Sequence, residues 1–223
     1  MRSEITKRML SSIILIPIAL FFIIKGSFFF IFFISVCFLV TAYEWYQMSN
    51  KKNYCYPGLL FLLLSFYTAY LLRNDYNNES FQFFLTVILT CIATDIGGYV
   101  FGKIFKGPKL TKISPNKTYA GMFGGYFLSI ILVNIFVNYG SLIRDFIKPD
   151  LFWNPFFTAE LFVLIILISS ISQIGDLIIS YFKRLSKIKN TGKIIPGHGG
   201  ILDRIDGILL GMPVGLLSLL AIY

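Results

Sequence analysis

Seven blocks of apolar residues dominate the chain, and most are long enough to cross a bilayer, which leaves few folds open to it. They run over about 9–24, 28–48, 57–72, 81–101, 119–139, 160–182 and 201–222, and the third is short at 16 residues. A hydrocarbon core about 30 Å thick needs roughly 20 predominantly apolar residues to span it as a helix. Inside that core the backbone has no water to bond, so a spanning segment must satisfy its own N–H and C=O groups. Only helices do this in a single segment. The expected fold is therefore all-α, a polytopic transmembrane bundle of about seven spans.

Composition agrees: 56% of the 223 residues are hydrophobic and 14% are charged, far from the mixture of a soluble domain. The net charge of +9 would suit a nucleic-acid binder, but its distribution excludes that class. With the N-terminus placed in the cytoplasm, only Lys25, Arg73, Arg144 and Lys148 of the 20 basic residues fall on the far side. Such asymmetry is the positive-inside pattern, and it predicts a cytoplasmic N-terminus. Residues 1–24 read as a retained first helix, since no small-residue cleavage site follows them. Cys37, Cys55 and Cys91 have neither metal-type nor redox spacing and read as small buried residues.

The first three blocks contain one charged residue, Glu44, in Glu44-Trp45-Tyr46. That triplet reads as an anchor at the headgroup level, where Trp and Tyr are favoured. The segment 140–159 is the longest outer loop and carries no evident chemistry. Two other loops, 102–118 and 183–200, are basic, punctuated by Gly and Pro, and predicted to share the cytoplasmic side.

Chemistry concentrates around those two loops. Ser172, Asp176 and Ser180 recur every fourth residue, with Lys183 three further on, which sets them along one helical face. That stripe must face protein or water rather than lipid. It serves either a site or a polar seam against a neighbouring helix. Asp203 and Asp206 share a face at the head of the last block, where carboxylates also favour a helix N-terminus. Magnesium takes one or two carboxylates and completes its shell with water and phosphate. Asp176, Asp203 and Asp206 would hold one such ion, or two cations straddling a reacting phosphorus.

Pro196-Gly197-His198-Gly199-Gly200 is either a plain tight turn or a place where backbone N–H groups approach phosphate oxygens. His198 is the only histidine and is open to roles as acid, phosphate donor or loop anchor. In the earlier loop, Asp95, Tyr99 and Gly102 share a face, followed by lysines that topology and anionic lipid partly explain. Lys117, within Ser114-Pro115-Asn116-Lys117-Thr118, is the better placed for a fixed phosphate contact.

These residues resemble the phosphatidate cytidylyltransferases, also called CDP-diacylglycerol synthases. That family's signature reads Ser, two residues, Lys-Arg, four residues, Lys-Asp, then a short loop into His-Gly-Gly, an apolar pair, Asp-Arg, one residue and Asp. The chain matches it at Ser180, Lys183, Arg184, Lys189, His198, Gly199, Gly200, Asp203, Arg204 and Asp206. A second segment, Ser-Pro-x-Lys-Thr, is matched at Ser114, Pro115, Lys117 and Thr118. The likeness covers about 93–211; before that only hydropathy is similar, and fewer N-terminal spans are expected than in typical members. Two positions depart: Asn190 replaces the Asp after Lys189, keeping an oxygen but losing a charge, and Ala120 replaces a usual Glu, keeping neither.

The resemblance implies transfer of a cytidylyl group from CTP to phosphatidate, giving CDP-diacylglycerol and pyrophosphate for phospholipid synthesis. It implies catalytic roles for Asp176, Asp203, Asp206, Lys183 and His198, with Mg²⁺ on the three aspartates and room for a second cation such as K⁺. Substrate contacts would come from Ser114, Lys117, Thr118, Ser180, Arg184, Lys189, Gly199, Gly200 and Arg204. The expected partners are CTP, phosphatidate, membrane lipids and, as a homodimer, a second copy. One integral domain is expected over 1–223, with 1–80 as N-terminal spans and 81–223 as the catalytic part. Its site would face the cytoplasm from a multi-pass position in the cell membrane. A CTP-dependent kinase of polyprenols or similar lipids, and an ion-coupled transporter, are the competing readings; the product, or uptake without CTP, separates them.

Overall fold

The computed structural model describes residues 2–74, 78–111, 114–147, 159–192, 194 and 199–222. Among the described residues seven helices follow one another: α1 (Arg2–Lys25), α2 (Ser27–Ser49), α3 (Cys55–Asn74), α4 (Asn78–Phe105), α5 (Tyr119–Ile147), α6 (Ala159–Leu185) and α7 (Leu202–Ile222). Each predicted apolar block coincides with one helix, the last starting one residue ahead of α7. Six of them, α2 to α7, are long and apolar enough to cross a membrane, and the described part of α1 adds the shorter apolar stretch Ile13–Lys25. The fold is a polytopic membrane helix bundle. An isolated antiparallel bridge pairs Lys109 with Thr118.

Lipid tails are as apolar as leucine, so helices in a bilayer associate through close packing and hydrogen bonds. The seam between α4 and α5 shows the first device. Gly97, Gly98 and Gly102 face Gly121 and Gly124, and a methyl group added at Gly121 would lie 2.6 Å from the Gly98 carbonyl oxygen. The two backbones touch, and no larger residue fits there. Between α6 and α7 the same closeness holds at Gly175, where an added methyl would lie 2.8 Å from the Asp206 carbonyl oxygen. Hydroxyls supply the second device. Thr86, Thr90 and Thr94 on α4 donate to carbonyls one turn back at 2.9, 2.7 and 2.7 Å, and Thr94 Oγ1 meets Ser169 Oγ of α6 at 2.8 Å.

A buried arginine secures the other end of the bundle. Arg73 of α3 donates to the carbonyls of Ile23 (2.9 Å) and Ile24 (3.3 Å) and lies 4.2 Å from the Phe81 ring centroid. It thereby satisfies the orphan carbonyls at the end of α1, where a cation also suits the helix dipole. Gly26 turns the chain there with φ of +63°, and the guanidinium fills the space its side chain would need.

Besides a small apolar cluster around Val133, Val137 and Ile165, two larger ones fill the bundle. One joins α2, α3, α4, α6 and α7 around Phe30, Leu72, Phe84, Val87, Ile168 and Met212. The second, around Trp45, Met48, Leu62, Ile179, Leu202 and Leu209, underlies the end where α2, α4 and α6 finish. At that end Ser186 Oγ donates to Met48 O at 2.9 Å and Lys52 Nζ to Leu185 O at 3.1 Å. The connections after α2 and after α6 are thus tied together.

Candidate active site

A cavity of about 430 Å³ opens at this end between α4, α6, α7 and the α4–α5 loop, lined among others by Asp95, Ser114, Lys117, Thr118, Asp176, Lys183, Asn190, Asp203, Arg204 and Asp206. The two basic loops, predicted to share one side, both reach this cavity.

The α4–α5 loop is held as a small hairpin. Leu110 N donates to Lys117 O (2.8 Å) and Tyr119 N to Pro108 O (3.2 Å), and Thr118 Oγ1 caps α5 by accepting from Gly121 N at 3.1 Å. This fixes Lys117 against the cavity, where its ammonium forms an ion pair with Asp176 of α6. Ser180, one turn along α6, donates to the other Asp176 oxygen at 3.3 Å. The predicted polar stripe divides by depth: Asp176, Ser180 and Lys183 serve this end, whereas Ser172 packs against Gly207 of α7.

Asp203 and Asp206, one turn apart, have different surroundings. Asp206 is buried and approaches Asp176 within hydrogen-bonding reach, while its Oδ1 accepts from Gly207 N at 2.9 Å. The glycine contact between α6 and α7 makes this approach sterically possible. Asp95 of α4 brings a third acidic side chain to the same cavity. Asp203 instead has both oxygens engaged. Its Oδ1 accepts from Lys183 Nζ at 2.8 Å, and its Oδ2 from Thr191 N at 2.8 Å and Gly200 N at 3.2 Å.

Among the described residues, no three acidic, histidine or cysteine side chains form a group able to hold a metal ion on their own. The donor set still fits Mg²⁺, which asks for one or two carboxylates and takes its other oxygens from water and phosphate. Asp176 and Asp206 form such a pair, and two carboxylates this close call for a cation or a shared proton between them.

Of the other predicted residues, Ser114, Thr118 and Arg204 line the cavity. Arg184 and Lys189 are exposed outside it, and Arg184 donates to Ile188 O at 3.2 Å. Gly199 has φ of +92°, and an added methyl there would lie 2.9 Å from Asp203 Oδ2. The Gly200 N–H is committed to Asp203, so a phosphate cradle at that atom gives way to a structural tie. His198 lies outside the described residues.

Sequence reasoning left two residues out of the site. Asp95 was visible on its helical face but was not placed with the other acids. Glu44 is not an interfacial anchor: it is 2% exposed and accepts from Thr191 Oγ1 (3.1 Å), Ile201 N (3.1 Å) and Leu202 N (2.9 Å). Trp45 is buried as well, donating to Cys55 O at 3.0 Å, and only Tyr46 of that triplet is exposed. The signal was a single acid in an apolar stretch, where burial demands partners.

The chain matches the model of the Cytidylyltransferase family over residues 6–79 and 59–222. It is 39% identical over 176 residues to the phosphatidate cytidylyltransferase of Rickettsia prowazekii, covering 77% of this chain and 72% of the relative. With that of Rickettsia conorii it shares 36% identity over 215 residues, 94% and 88% of the two chains. A Staphylococcus epidermidis phosphatidate cytidylyltransferase is 33% identical over 185 residues, 81% of this chain and 65% of its own.

Proposed function

The chain belongs to the cytidylyltransferase family, and from that premise we propose that it transfers the cytidylyl group of CTP to phosphatidate at the cavity between α4, α6 and α7. The products are CDP-diacylglycerol and pyrophosphate. The observation that carries this reading is the facing of an acidic pair, Asp176 and Asp206, by Lys117, Lys183 and Arg204 in one cavity at the end of the membrane helices.

An oxygen of the phosphatidate phosphate attacks the α-phosphorus of CTP. A phosphorus–oxygen bond forms as the bond to the β-phosphate bridging oxygen breaks, and pyrophosphate departs with that electron pair. The nucleophile is already an anion, so no proton need be removed from it. Catalysis then rests on alignment and charge neutralisation. Asp176 and Asp206 would hold Mg²⁺, which when bound would neutralise phosphate charge and bring the reacting groups together. Lys183, aimed by Asp203, and Arg204 offer cations to the phosphates, with Arg suited to a two-point grip. Lys117 leaves Asp176 for a phosphate oxygen as the site fills. The acyl chains stay among the helices, so only the headgroup has to reach the cavity.

The basic loops at this end support placing it, with the N-terminus, on the cytoplasmic face of the cell membrane. The deciding experiment supplies purified protein with labelled CTP, phosphatidate and Mg²⁺ and extracts the lipid. Labelled CDP-lipid with pyrophosphate is the expected result. A phosphorylated lipid alcohol with CDP, or no lipid product, rejects the reading.

A further inference from the structure

We propose that Glu44 is a positioning residue for this reaction: it locks the start of α7 to the α6–α7 loop so that Asp203 can present Lys183 to the cavity. The inference rests on the cytidylyl-transfer reading above. Glu44 belongs to α2, and its carboxylate is not among the residues lining the cavity. Yet it reaches across to take three donors from the segment that carries the site, Thr191 Oγ1, Ile201 N and Leu202 N. Asp203 takes three more from the same segment and α6, namely Thr191 N, Gly200 N and Lys183 Nζ.

The two carboxylates form a double clasp with Thr191 at its centre. The backbone N–H of Thr191 goes to Asp203 and its hydroxyl to Glu44. Three successive N–H groups at the head of α7, those of Gly200, Ile201 and Leu202, are satisfied by these acids. The head of α7 is therefore already occupied by protein carboxylates, and phosphate recognition passes to side chains. The glycines nearby fit the same account. An added methyl at Gly192 would lie 2.6 Å from Glu44 Oε1, and Gly200 has the Glu44 carboxylate where a side chain would stand. Both are small because the acid needs their space.

Glutamine at position 44 keeps the volume but turns one acceptor into a donor facing donors, leaving a buried N–H or hydroxyl unsatisfied. Activity, thermal midpoint and hydrogen–deuterium exchange would be measured on Glu44→Gln and on Arg73→Met. The latter loses comparable buried bonds at the opposite end of the bundle. Glu44→Gln should lower kcat/KM by about tenfold or more and speed exchange at residues 200–202, while Arg73→Met lowers only the thermal midpoint. In a Lys183→Ala background the further loss from Glu44→Gln should shrink to less than about threefold, because the two act through one path.

Equal activity in Glu44→Gln and Arg73→Met at matched stability would overturn the proposal. So would faster exchange without loss of activity, or a full tenfold loss persisting without Lys183. Wild-type protein that makes no CDP-lipid would instead reject the reaction assigned above and the catalytic half of this inference. The exchange data alone would then decide the clasp.

Discussion

Lys183 Nζ of α6 stands 2.8 Å from Asp203 Oδ1 of α7, with side chains only 11% and 7% exposed. This pair couples the end of one membrane helix to the beginning of the next. It also gives Asp203 a task different from that of Asp206 one turn away.

Asparagine substitutions should separate those tasks. Asp203→Asn exchanges an acceptor for a donor among three donors, so it should cost about 1–3 kcal/mol of stability as well as activity. Asp206→Asn removes a carboxylate from beside Asp176 and should leave the thermal midpoint unchanged or raised. Its turnover should nevertheless fall at least about a hundredfold. Thermal unfolding alongside lipid-product formation measures both, and a stability loss common to the two variants would refute the division.

Lys117 is the cation that balances Asp176. Lys117→Ala should raise KM for CTP roughly tenfold through a lost charge-assisted contact without altering insertion. Initial rates across a CTP titration test this, and an unchanged KM would confine Lys117 to the resting ion pair.

Asn190 lines the cavity at the position where the family signature carries Asp. Restoring Asn190→Asp adds a carboxylate within reach of the phosphates and should shift the Mg²⁺ concentration for half-maximal activity. An identical Mg²⁺ titration would place the residue outside the ion's surroundings.

Gly175 sets how near α7 comes to α6. Gly175→Val should cost about 1–3 kcal/mol by overpacking and should lower turnover more than Asp203→Asn does, because it separates Asp176 from Asp206. Comparing the two variants at equal folded fraction checks it; full activity in Gly175→Val would show that the close approach is dispensable.

The helices were legible because the bilayer makes apolar length decisive, and each block from 28–48 to 201–222 matches its helix to within a residue at the ends the helix does not overrun. The gathering of the polar residues was legible too, since Asp176, Lys183, Asp203, Arg204 and Asp206 lie within one stretch of chain and meet in one cavity. Partnerships were not. Whether Lys117 meets Asp176, or Lys183 meets Asp203, depends on which helices touch, and that is decided at glycines whose packing leaves little local trace in the sequence. Glu44 escaped for a related reason: its donors come from residues about 150 positions away, and its Trp45-Tyr46 neighbours imitate an interfacial anchor.

The glycine seams give the bundle two stiff jaws, α4 with α5 and α6 with α7. Neither has slack inside it, and the hydrogen bond from Thr94 to Ser169 ties one to the other. Lys117 on the first and Asp176 on the second act as a latch across the gap. In the proposed reaction a phosphate headgroup brings the negative charge that suits a lysine displaced from that pair.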